Sequence, residues 1–91
     1  MQFVGWSVNR TTTIECLRDL GHGMEEALLV RWYIAEGDEV AADEAILEIE
    51  TDKATVEYPC TVSGRVTKLL KNEREIVRVG DSLCLIVTDQ T

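Results

Sequence analysis

The feature that most constrains this chain is a repeat at fixed spacing. Val40 matches Val77, Ile46-Leu47 matches Leu83-Cys84, Ile49 matches Ile86 and Thr51-Asp52 matches Thr88-Asp89, each pair 37 positions apart. The same shift sets Asp43 on Gly80, Leu29 on Val66 and Trp32 on Leu69. Two copies are too few for a solenoid, whose units need several stacked neighbours. They suit two similar halves packed face to face.

The runs within each half are short and β-like. Leu28 to Ile34 is rich in branched and aromatic residues, and Glu36-Gly37-Asp38 breaks it. Over 45–51, apolar Leu47 and Ile49 alternate with Glu48 and Glu50. Residues 55–58 alternate too and stop at Pro59. Residues 65–70 follow Ser63-Gly64, a polar turn spans 71–75, and Leu83 to Val87 is continuously apolar. Runs this short, punctuated by Gly, Pro and Asp, predict an all-β barrel or sandwich. The Ala- and Glu-rich stretch 39–50 invites a helix. Period-two alternation from Leu47 and the lack of a cap oppose it. Gly37 and Gly64 are expected in turns, at least one at positive φ. Trp32, Ile49, Val66 and Ile86 are expected in the core.

With 91 residues the chain has room for one small domain. Residues 1–13 contain no acidic side chain and end at Thr11-Thr12-Thr13. They are read as an N-terminal extension, disordered or vector-derived; 14–89 are read as the domain and 90–91 as a tail. The 17 acidic residues outweigh the 9 basic ones, for a net charge of −8. That balance opposes phosphate-rich nucleic acid and anionic membrane surfaces. No apolar run approaches the roughly 18 residues of a membrane span. Cys16, Cys60 and Cys84 are widely spaced and form no C-x-x-C pair, which disfavours a disulfide framework or a zinc site. The expected setting is a reducing one.

Between two alternating runs lies Glu50-Thr51-Asp52-Lys53-Ala54-Thr55. It reads as a tight hairpin with Asp52-Lys53 at the tip. Asp52 suits the first central position of a type I turn, which needs no positive φ. A lysine there is held by strands while its amine stands in water, as a covalent attachment point requires. An exposed turn lysine is otherwise an ordinary solubilising residue.

Several ordered blocks go further. Asp19-Leu20-Gly21-His22-Gly23-Met24-Glu25-Glu26, Val30-Arg31-Trp32, Glu36-Gly37-Asp38-Glu39-Val40, Glu48 to Val56, Pro59, Val62-Ser63-Gly64 and Val79 to Leu83 occur in sequence. Together they resemble the lipoyl domain of the dihydrolipoyl acyltransferase component of 2-oxo acid dehydrogenase complexes. The resemblance implies a flattened barrel of two four-stranded antiparallel sheets with quasi-two-fold symmetry. It implies that Lys53, in a D-K-A turn, carries lipoic acid as N6-lipoyl-lysine. Glu50, Asp52, Ala54 and His22 would serve partner recognition. The implied partners are a lipoate ligase or lipoyl transferase, a thiamine-diphosphate-dependent 2-oxo acid dehydrogenase, the acyltransferase catalytic domain and dihydrolipoyl dehydrogenase. The isolated domain is expected to be monomeric and a carrier, not an enzyme, because no nucleophile–base pair, metal spacing or phosphate-cradling loop accompanies Lys53.

The chain departs from the family pattern at four places. The family usually has Pro at Arg18 and Thr61, Gly at Arg74 and an acidic residue at His22. Three rival readings are a biotin carrier domain, a glycine-cleavage carrier protein and an unmodified adaptor of the same fold. The biotin carrier usually places its lysine between methionines; here Asp52 and Ala54 flank Lys53.

Overall fold

The computed structural model describes residues 9–21 and 23–90. Eight strands follow in order: β1 (Asn9–Cys16), β2 (Glu26–Trp32), β3 (Glu39–Val40), β4 (Ala45–Glu50), β5 (Thr55–Pro59), β6 (Gly64–Leu69), β7 (Ile76–Arg78) and β8 (Ser82–Gln90). They form two four-stranded sheets, β1-β8-β6-β3 and β5-β4-β2-β7, and every pairing is antiparallel. The all-β, two-sheet expectation holds, and the barrel is not closed. Residues 39–50 form β3, a turn and β4 rather than a helix.

The 37-residue repeat appears as structure. It carries β2 onto β6, β3 onto β7 and β4 onto β8, and so the order of three strands in one sheet onto three in the other. Register follows too: Leu29 pairs with Ile49, and Val66 pairs with Ile86. Each ladder then slips at the same point, between Leu29 and Arg31 in one and between Val66 and Lys68 in the other. A bulge at that place bends both strands alike.

The loops repeat the pattern. Gly37 donates its N–H to the Val66 carbonyl at 2.7 Å, and Arg74 donates to the Leu29 carbonyl at 2.7 Å. Both residues hold left-handed backbone, φ 97° and 73°. Asp43 (φ 72°) and Gly80 (φ 98°) form the second such pair. A left-handed conformation suits Gly and strains a residue with a Cβ, so Arg74 keeps the turn at a cost its glycine counterpart avoids. Gly64 is not a turn residue as expected; it opens β6. A Cβ there would meet the Val87 carbonyl oxygen and lie 2.8 Å from Ile86 Cγ2, so its lack of a side chain permits β6 to approach β8.

Between the sheets lies one apolar layer. Leu29, Ile46, Leu47, Ile49, Tyr58, Val66, Val77, Leu83 and Ile86 are all fully buried. Trp32, expected there, is half-buried: it packs against this layer while its indole N–H donates to the Lys71 carbonyl at 2.9 Å. A polar handle at the core edge explains that position.

Residues 9–13 were expected outside the domain, yet Asn9 to Cys16 pairs with β8 from Gln90 back to Ser82. The strand carries little apolar alternation because it is an edge strand; residues 1–8 lie outside those described. Its end is tied down by Glu15, only 2% exposed. The Glu15 carboxylate accepts from the Thr61 N–H (3.1 Å) and hydroxyl (2.8 Å) and pairs with the Arg18 guanidinium at 3.0 Å. Arg18 also lies 4.8 Å from the centre of the Tyr58 ring. Arg18 and Thr61, two of the departures from the pattern the sequence resembles, thus hold one buried carboxylate.

Two stability measurements test this reading. Ile49→Ala should cost roughly 2–5 kcal/mol by denaturant unfolding, since the side chain is fully packed; an unchanged midpoint contradicts it. Arg74→Gly should stabilise the fold, by up to about 1 kcal/mol, because the relieved left-handed strain exceeds the added chain entropy. A lower midpoint would show that the Arg74 side chain contributes more than its backbone costs.

Candidate functional site

Glu50 at the end of β4 pairs with Thr55 at the start of β5, which leaves Thr51, Asp52, Lys53 and Ala54 as the connection. The turn closes through the Thr51 N–H, which donates to the Ala54 carbonyl at 2.8 Å. The Thr51 hydroxyl completes it: Oγ1 accepts from the Lys53 and Ala54 N–H groups, each at 3.1 Å, and donates to the Ala54 carbonyl at 3.2 Å. None of the four residues has positive φ, so the turn suits Asp and Lys as the sequence implied. One threonine therefore fixes the backbone at Lys53 and at the residue after it. Sequence reasoning did not single out Thr51; a hydroxyl two residues before the lysine was the available signal.

Asp52, Lys53 and Ala54 are all exposed, and Glu50 is exposed beside them. The lysine side chain thus leaves a rigid hairpin whose base, Ile49, is anchored in the core. Lys53 also borders a groove with Met24, Leu28, Glu50 and Ile76, so the loop preceding β2 does approach the lysine turn. His22, the remaining expected recognition residue, lies outside the described residues. Four carboxylate residues, Glu25, Glu26, Glu50 and Asp52, line the same groove.

Other reactive groups stand apart from this site. Burial pushes the Cys84 thiol up to about 12 and also raises the Cys60 thiol. Both side chains are enclosed, and a buried, fully protonated thiol is a poor nucleophile. Among the described residues no group of three or more His, Cys, Asp or Glu side chains could hold a metal ion.

The two sheets thus hold Lys53 at a solvent-exposed hairpin tip. Residues 17–86 match the biotin/lipoyl attachment family, described as "Biotin-requiring enzyme". The chain belongs to this family.

Among similar proteins, the dihydrolipoyllysine-residue acetyltransferase component of the pyruvate dehydrogenase complex of Staphylococcus epidermidis is 39% identical over 70 residues, 77% of this chain and 16% of that protein. The lipoamide acyltransferase component of the branched-chain alpha-keto acid dehydrogenase complex of Pseudomonas putida is 41% identical over 68 residues, 75% of this chain and 16% of that protein. The chain therefore spans about a sixth of the length of these relatives. The solution structure of the lipoyl domain of the Azotobacter vinelandii 2-oxoglutarate dehydrogenase complex superposes with a TM-score of 0.62 at 27% identity, covering 84% of this chain and 96% of that domain. Kluyveromyces lactis urea carboxylase superposes with a TM-score of 0.70 at 24% identity, covering 84% of this chain and 6% of that one, a likeness of fold alone.

Removing the Thr51 hydroxyl isolates its role. Thr51→Val should cost about 1 kcal/mol of stability and speed hydrogen exchange at the Lys53 and Ala54 amides, with core amides little changed. Equal protection at both amides in the two proteins would show that the hydroxyl does not hold the turn.

Proposed function

We propose that this chain is a lipoyl carrier domain of a 2-oxo acid dehydrogenase complex and that Lys53 is its attachment residue. The observation that carries the reading is the exposed Asp52-Lys53-Ala54 tip, held by Thr51 on a core-anchored hairpin. The relatives named above, and the lipoyl domain of matching length, support the choice of complex.

The residues present fit the covalent group. The amine stands clear of the core on a backbone that does not need to reorganise. A modifying ligase or transferase can therefore grip the hairpin, and the neutral amine attacks an activated lipoyl carbonyl, loses its proton and expels the activating group. When bound, the dithiolane supplies reductive acyl acceptance from a thiamine-diphosphate-dependent dehydrogenase, acyl delivery to coenzyme A and reoxidation by dihydrolipoyl dehydrogenase. The protein presents and identifies the arm: Glu50, Asp52 and Ala54 form the surface that partners meet first, and His22 is assigned the same role. We place the domain in a reducing compartment, a bacterial cytoplasm or a mitochondrial matrix, in keeping with its three free thiols.

The biotin reading is weaker on two grounds. Neither neighbour of Lys53 is a methionine. The groove beside it is lined by four carboxylate residues, poor surroundings for a carrier group that becomes anionic when carboxylated.

Peptide mapping after expression with lipoate should place the lipoyl mass on Lys53 alone. Lys53→Arg should abolish lipoylation and reductive acylation with the fold intact, because a guanidinium stays protonated at any usable pH. Lipoyl mass on Lys68 or Lys71, or acylation surviving in the variant, would falsify the assignment.

A further inference from the structure

The outer face of the lysine-bearing sheet contains an apolar row that the fold itself does not require. Register sets Glu50 of β4 opposite Leu28 of β2, and Leu28 opposite Ile76 of β7. Their strand neighbours Ile49, Leu29, Ala27 and Val77 are buried, so this row faces outward. Ile76 is 53% exposed there, an apolar side chain with no core to fill. The row, with half-buried Met24, borders the groove that Lys53 lines.

The second sheet provides an internal control. The same 37-residue shift carries Glu50, Leu28 and Ile76 onto Val87, Arg65 and Glu39, which occupy the same register positions. There, Arg65 and Glu39 form an ion pair at 2.9 Å, as suits a solvent-facing row. The twin therefore shows that an ion pair satisfies these backbone positions. Leu28 and Ile76 keep apolar surface in water only on the sheet that carries the lysine.

We infer that Leu28, Ile76 and Met24 form a resting seat for the hydrocarbon arm attached to Lys53. The inference rests on the carrier reading above. Its occupant follows from tethering and charge. An arm bonded to a residue of the groove is present at high effective concentration, so a weak apolar contact suffices to dock it and still release it. The arm is neutral and apolar, which suits a hydrophobic floor among Glu25, Glu26, Glu50 and Asp52. Resting there shields the dithiolane between encounters without altering the lysine turn.

The test uses the lipoylated domain with labelled Ile, Leu and Met methyl groups. Intact mass comes first: no adduct overturns the carrier reading and the seat with it. With the adduct on Lys53, the methyl resonances of Ile76, Leu28 and Met24 should move relative to the unmodified protein. Those of Ile14, 54% exposed on the other sheet, should not. Adduct without movement overturns the seat and leaves the carrier reading standing. A second readout follows alkylation of the reduced arm by a maleimide. In the Leu28→Thr/Ile76→Thr double variant, whose β-branched replacements suit strands, the rate should rise roughly two- to fivefold, as loss of a small apolar contact allows. An unchanged rate in a variant with wild-type circular dichroism overturns the seat.

Discussion

The apolar layer between the sheets is the constraint on which everything else depends. Neither four-stranded sheet has another way to bury its inner face, and a small domain has little core to spare. Leu29 and Ile49 supply one side and Val66 and Ile86 the other, at equivalent register. Because side chains alternate along a strand, a slip of one residue would turn each buried set to solvent. The core thus sets register, and register sets which residues stand at the hairpin ends.

The lysine site is a consequence of that order. With Ile49 inside, Glu50 must face out, and the chain has four residues in which to reverse before Thr55. Thr51 spends its hydroxyl on the two following amides, so the backbone at Lys53 is settled before any partner arrives. The backbone is thus fixed up to the Lys53 Cα, and the side chain leaves the hairpin from a set position. The twin sheet has no such turn at the corresponding place. There β1 and β8 continue their ladder to Asn9 and Gln90.

Departures from the family pattern are absorbed locally. Arg18 and Thr61, two of the positions that depart from that pattern, both bind Glu15, a carboxylate that would be costly to bury alone. Together they form one polar cluster that ties the end of β1 to the segment after β5. Arg74 has no comparable compensation on its backbone; it accepts the left-handed turn that its counterpart Gly37 enters freely.

Much of this was legible in the residues. Alternation around Leu47 and Ile49 marks β4, Pro59 marks the end of β5, and the 37-residue spacing implies paired sheets. Three strands were not legible. β3 and β7 have two and three residues, too few for periodicity to register. β1 is polar and threonine-rich because its side chains meet little core, and only β8 makes it a strand. Lys53 stood out through its hairpin context and flanking residues, whereas Thr51 did not, because a hydroxyl reveals its role only once the turn brings two amides to it. The sequence by itself determined the all-β class, the duplication and the exposed lysine, since hydrophobic period and turn chemistry are local properties. Tertiary structure alone decided the pairing of β1, the burial of Glu15 with Arg18 and Thr61, and the meeting of Lys53 with Met24, Leu28 and Ile76. Most of those contacts join residues far apart in the chain, which strand pairing within each sheet brings side by side and which Thr61 extends to Glu15 at the end of β1.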